Sequence, residues 1–140
     1  MVKGVAHIGI AVNDLASSTK LFRTLLNARV EHEEEVPSQK VRTAMIKAGG
    51  DTFELLAAMD SESAISKFIE KRGEGIHHVA IEVEDIVAEL DRLRSTGVVL
   101  VDEIPRLGAE HCLVAFLHPK STNGVLIELV QKIPDVEEKE

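Results

Sequence analysis

One stretch of this sequence occurs twice. Val5-Ala6-His7-Ile8-Gly9-Ile10-Ala11-Val12-Asn13-Asp14-Leu15 recurs as Ile76-His77-His78-Val79-Ala80-Ile81-Glu82-Val83-Glu84-Asp85-Ile86. Each copy sets a histidine early in a β-branched run and an aspartate where a helix would start. The duplication has a second half. His7 is followed by Glu54 in Phe53-Glu54-Leu55-Leu56, and His78 by Glu128 in Ile127-Glu128-Leu129-Val130. A chain built this way has to fold as two similar modules, and two His/Glu pairs in matching places point to one site at their seam.

The runs around these motifs give each module the order βαβββ. In the first, a strand over 5–12 leads into an amphipathic helix over 15–26, with Leu15, Phe22, Leu25 and Leu26 on one face. Strands follow near 28–36, 40–48 and 52–58, broken at Pro37-Ser38 and Gly49-Gly50. A linker over 60–75 carries a short helix starting at Asp60-Ser61, with Ile65, Phe68 and Ile69 on one face and Gly73 at its end. The second module has a strand over 76–83, a helix from Asp85 to Gly97, and strands near 98–103, 111–118 and 124–131. We expect one domain over 1–140, with modules at 5–58 and 76–131 and a charged tail at 134–140.

Composition narrows the function. The 140 residues are 44% apolar, enough for one core, and carry a net charge of -8 without any basic stripe, which argues against nucleic acid. Trp and Tyr are absent, so stacking platforms for single strands are missing. The apolar runs fall short of the roughly 20 residues a membrane span needs. The lone Cys112 permits no intrachain disulfide and no cysteine-rich zinc cluster. A cytoplasmic protein without membrane contact is the expectation.

Strand parity puts His7 with Gly9 on one face of the first strand and His78 with Ala80 on the matching face of the fifth, leaving room for a ligand there and core on the other side. Glu54 and Glu128 stand among aliphatic residues, where an ionised carboxylate is costly unless paired or bound to a cation. Singly, each would be an ordinary strand residue. Together, His7, Glu54, His78 and Glu128 form a nitrogen and oxygen set suited to a divalent Zn, Mn, Co, Ni or Fe ion. By parity His77 points away from His78, as core or support rather than a ligand. His32 lies in a glutamate run on a solvated edge, adjacent His111 and Cys112 diverge, and His118-Pro119-Lys120 reads as a turn whose Lys120 can meet an anionic substrate.

These residues carry a resemblance. The HxGIAVxDL motif and the duplicated modules resemble the vicinal oxygen chelate superfamily. Ser66 to His78, Phe116-Leu117-His118-Pro119-Lys120 and Gly124-Val125-Leu126-Ile127-Glu128-Leu129 resemble its methylmalonyl-CoA epimerase family in particular. The likeness spans Val5 to Gln131. It implies an α+β fold in which the two modules form an open, U-shaped sheet around one divalent metal. The implied ligands are His7, Glu54, His78 and Glu128. It also implies an acyl-CoA substrate, inversion at C2 by proton removal and return, Glu128 as both ligand and proton carrier, and a homodimer. Two departures stand out: Thr43 falls where some relatives have a carboxylate, and Glu110-His111-Cys112-Leu113 replaces a stretch often built from glycines and a basic residue. Lys40, Arg42, Arg106 and Lys120 are the cations available for an anionic substrate. A glyoxalase I activity on a glutathione hemithioacetal and a metal-free small-molecule binder of the same fold are the alternatives; a ring-cleaving dioxygenase is disfavoured by the fourth protein ligand.

Overall fold

The computed structural model describes residues 1–134; the tail expected at 134–140 lies outside it beyond Pro134. In chain order the elements are β1 (Val2–Ala11), α1 (Leu15–Leu26), β2 (Arg29–Val36), β3 (Val41–Ala48), β4 (Asp51–Ala58), α2 (Ala64–Arg72), β5 (Gly75–Val83), α3 (Ile86–Ser95), β6 (Arg106–Leu107), β7 (Cys112–Leu117) and β8 (Ile127–Lys132). All eight strands form one sheet in the order β2-β3-β4-β1-β5-β8-β7-β6. The order reads as two copies of one half-sheet joined where β1 meets β5.

Register makes the copies equivalent. β1 runs parallel to β4 with Gly9 opposite Glu54, and β5 runs parallel to β8 with Ala80 opposite Glu128. At the seam the strands are antiparallel, so His7 lies opposite Ala80 and Gly9 opposite His78. The four site residues therefore fall on four neighbouring strands at the centre of the sheet.

The helices cover the opposite face, as alternation requires. Leu15, Phe22 and Leu26 of α1 pack over Ile10, Val12, Ala44, Ile46 and Leu55, while Ile86 and Leu90 of α3 join Val83, Ala115, Leu117 and Leu129. Leu25 does not share that face: it is 66% exposed, because at about 100° per residue it sits about 80° off the stripe. Asp14 and Asp85 cap the two helices, accepting from Ser17 N–H and Ala88 N–H, each worth about 1 kcal/mol. Helix α2 instead packs through Ile65, Phe68 and Ile69 against Ala11, Val36, Val41 and Leu56. It begins later than Asp60, at Ala64 with Ser63 as its cap, because the Asp60 carboxylate and carbonyl are engaged by Glu62 N–H and the Ser66 hydroxyl in a preceding turn. Gly73 ends it at φ 76°, a conformation that disfavours a side chain.

The strand expected over 98–103 does not form. Only Leu100 bridges to Leu117, and at Asp102 the carboxylate, not the backbone, accepts the Phe116 N–H at 2.8 Å. The ladder is interrupted there, and after Pro105 it resumes as the two-residue β6. The following turn, 109–111, reaches the other edge of the sheet: Glu110 N–H donates to the Glu34 carboxylate of β2. This contact draws the two ends of the sheet together.

Candidate metal centre

The four expected donors converge. His7 Nε2 lies 3.0 Å from His78 Nε2. Glu128 Oε1 is 3.2 Å from the first and 3.5 Å from the second, and Glu54 Oε1 is 3.5 Å from both. His78, Glu54 and Glu128 are buried, and His7 keeps 11% of its side chain accessible.

Two neighbours hold the His78 ring. Gly9 lies directly beneath it: a Cβ at that position would stand 2.1 Å from the ring carbon Cε1. The space that parity assigned to a ligand over Gly9 is thus filled by an imidazole. His77 touches His78 as well, with the two Nδ1 atoms 2.9 Å apart, and this corrects the parity argument. The β1–β5 register steps from Gly9↔His78 to Ile10↔Ile76, so His77 is the extra residue of a β-bulge, and a bulge re-aims a side chain that strict alternation would send away. Phe68 meets His77 edge-on at 5.0 Å and Phe116 meets His78 at 5.7 Å. With Nδ1 of His78 engaged by His77, its Nε2 is the nitrogen presented to the cluster.

Charge is unevenly shared. Burial pushes the Glu54 carboxyl above its ordinary value, and the Glu128 charge adds to this against the opposing pull of His7 and His78. Burial would raise Glu128 too, but hydrogen bonds from His7 and His78 outweigh it and bring that carboxyl down to about 2. For His7, burial opposes the charged form, yet the Glu128 hydrogen bond and the Glu54 and Glu128 charges hold it above its usual value. His77 is lowered to about 4, by burial and then by His78; it is neutral at pH 7.

The donor chemistry fits a cation. The two imidazole nitrogens lie 3.0 Å apart and each is 3.2–3.5 Å from an oxygen of Glu54 and of Glu128, and His7, Glu54 and His78 offer atoms all within 4.8 Å of one another. Such a set, with two acidic groups buried together, is neutralised by a divalent ion better than by protons alone.

Two cavities flank the cluster. One, of about 80 Å³, is lined by His7, Thr43, Glu54, Glu110 and Glu128. The other, of about 400 Å³, is lined by Lys40, His77, His78, Arg106 and Phe116. A larger recess, about 900 Å³ between β2 and the 109–111 turn, is lined by none of the four donors. Thr43 is buried, and its hydroxyl has no hydrogen-bond partner. Glu110 was not singled out as a site residue from the sequence, yet it lines the same cavity and its charge acts on His7 and Glu54. It stands at φ 55°, followed by His111 at φ 56°, a costly pair for side-chain-bearing residues. The signal for it was the replaced glycine stretch.

The remaining residues take quieter places. His32 pairs with Glu34 on the edge strand β2. Burial pushes the Cys112 thiol up to about 11, which makes it a poor nucleophile. His118 Nδ1 accepts the Lys120 N–H and so caps its turn. Lys120 is exposed on that turn, beside Pro119. Arg42 pairs with Glu35 and Lys40 with Glu62.

Known proteins agree with this geometry. The profile of the Glyoxalase/Bleomycin resistance protein/Dioxygenase superfamily matches residues 6–116. The ethylmalonyl-CoA/methylmalonyl-CoA epimerase of Cereibacter sphaeroides is 40% identical over 133 residues, covering 94% of this chain and 99% of that protein. The crystal structure of methylmalonyl-CoA epimerase from Mycobacterium tuberculosis superposes with a TM-score of 0.92 at 41% identity, over 95% of this chain and 90% of that one. A variant of the Streptomyces coelicolor methylmalonyl-CoA epimerase, in complex with 2-nitronate-propionyl-CoA, does so with 0.91 at 35%, over 96% and 100%. The duplicated modules, the four converging donors and these similarities together make the chain a member of the glyoxalase/bleomycin resistance protein/dioxygenase superfamily and, within it, of the methylmalonyl-CoA epimerase family.

Proposed function

We propose that the chain interconverts the 2R and 2S forms of methylmalonyl-CoA, with His7, Glu54, His78 and Glu128 as ligands of one divalent ion. The observation that carries this is the meeting of four donors from four strands in a member of an epimerase family. When bound, the ion supplies a Lewis acid for the negative charge that develops on the thioester oxygen. The C2 proton lies between a thioester and a carboxylate, which makes it removable by a carboxylate base. Glu128, ionised at neutral pH, is our choice for that base. Inversion needs a proton returned on the other face, and Glu54 and Glu110 are the further carboxylates lining the small cavity. The hydroxyl of Thr43 does not ionise at neutral pH and is not a substitute. Arg106 in the larger cavity and Lys120 on its turn are the cations we assign to the anionic parts of the substrate. We also propose a homodimer, which the family resemblance supports, and a cytoplasmic location.

The test is exchange of the C2 proton of methylmalonyl-CoA with deuterated solvent, followed by NMR on metal-stripped and cobalt-reloaded protein. We expect metal-dependent exchange, reduced by roughly 10²- to 10⁴-fold in Glu128→Ala. Turnover of a glutathione hemithioacetal in place of methylmalonyl-CoA would move the reading to glyoxalase I.

A further inference from the structure

Inversion at C2 needs a proton carrier on each face of the carbon. Glu54 and Glu128 both belong to the central strands, β4 and β8, and each has an oxygen 3.2–3.5 Å from the same two histidine nitrogens. They meet a substrate from one side. Glu110 comes from elsewhere. Its turn lies between β6 and β7 at one edge of the sheet and reaches β2 at the other, where Glu110 N–H donates to the Glu34 carboxylate. The central strands lie between those edges, so the turn closes over the floor that carries the four donors.

Glu110 forms a wall with two sides. It lines the 80 Å³ cavity with His7, Glu54 and Glu128, and it also lines the open 900 Å³ recess beyond. Its charge reaches His7 and Glu54 although it is not one of the four donors. Glu54 and Glu128 are 4% and 5% exposed, whereas Glu110 is exposed and can trade a proton with solvent. A glutamate on a turn is ordinarily just a solvated residue. This one, with His111 after it, holds a left-handed backbone that glycine would adopt without cost, and such strain is characteristic of functional sites. The same cavity has an independent mark of a ligand. Thr43 lines it with a buried hydroxyl that has no partner, a cost to the free protein that a polar group of a bound substrate would remove.

We propose that Glu110 is the second proton carrier, acting on the face of C2 opposite Glu128. In one direction the Glu128 carboxylate takes the C2 proton and the C–H electron pair passes into the enolate. Protonated Glu110 then gives its proton to the other face, where that pair forms the new C–H bond. Glu128 ends protonated and Glu110 ionised, which is the starting state for the opposite epimer. A carboxylate from the closing turn thus replaces the one absent at Thr43. The assignment rests on the epimerase reading above.

The test uses cobalt-loaded wild type, Glu110→Gln and Glu110→Gly with each epimer of methylmalonyl-CoA in deuterated solvent, measuring initial rates of C2 exchange and of inversion. Melting temperature and a cobalt titration verify that both variants are folded and bind the ion. Glu110→Gly, relieved of the left-handed strain, melts no lower than the wild type. We expect inversion to fall roughly 10²- to 10⁴-fold in both variants. One epimer, the one Glu128 deprotonates, still exchanges its C2 proton with retention of configuration. A residue that merely shaped the turn would lose or keep the two reactions together. Inversion at the wild-type rate in Glu110→Gln, or loss of exchange from both epimers in a folded, metal-binding variant, overturns the assignment and leaves the epimerase reading standing. Neither exchange nor inversion by the wild type overturns both.

Discussion

Gly9 and Ala80 hold equivalent places, each two strand positions beyond its module's histidine and each opposite the other module's histidine, and they differ by one methyl group. Ala80 lies opposite His7; Gly9 lies opposite His78 and carries its ring. The second module therefore presses its imidazole flat onto the first, backed by His77 and Phe116, and leaves it 2% exposed. The first module's His7 lies opposite Ala80 and meets the His78 ring edge-on at 5.2 Å, and it stays partly accessible. The glutamates differ as well: Glu54 is raised and Glu128 is lowered to about 2. Duplication supplied the four donors, and small departures from symmetry left His78 buried against the seam while His7, not His78, lines the small cavity.

The comparison breaks most sharply at Gly9. Gly9→Ala drives a methyl into the His78 ring and costs about 1–3 kcal/mol, with loss of metal affinity. The reciprocal Ala80→Gly costs only about 0.5–1 kcal/mol and keeps the metal. Melting curves and a metal titration of the two variants decide it, and equal effects would mean that the seam is symmetric after all.

His77 is the next place to press. His77→Leu removes the partner of His78 Nδ1, and metal affinity falls roughly 10- to 100-fold; competition with a chelator measures it. A second readout is pH. The His77 value is about 4 folded against 6.5 ordinarily, so the unfolded chain takes up a proton in that window which the folded protein refuses. Stability contributed by keeping His77 neutral is present above pH 6.5 and is lost as pH falls toward 4. Between neutral pH and about pH 5, the metal-free wild type loses more melting temperature than the variant.

Thr43 carries the smallest effect. Its buried hydroxyl has no hydrogen-bond partner, so Thr43→Val leaves stability as it is or raises it by up to about 1 kcal/mol. A clear loss of stability in that variant would reveal a partner for the hydroxyl.

Much of this was legible in the sequence for a physical reason. A period-two strand fixes which face a residue takes, and duplication fixes which partner it meets, so His7, Glu54, His78 and Glu128 could be grouped before any fold was known. What escaped was whatever breaks the period. The bulge at His77 adds a residue to one strand and not the other, and nothing in Ile76-His77-His78 announces it. The strand expected over 98–103 has suitable residues, but a side chain, Asp102, takes the hydrogen bond that would have continued the ladder. Glu110 lines the small cavity through two successive left-handed residues, a conformation that glycine would have advertised and glutamate and histidine conceal.

The central claim is that two modules build one metal site. Titrating cobalt into metal-stripped protein and following its visible absorption tests this most directly, with His7→Ala and His78→Ala alongside. The account predicts one ion per chain, with tight binding lost in both variants although the substitutions lie in different modules. Two independent sites per chain, or a variant that binds as the wild type does, would contradict it.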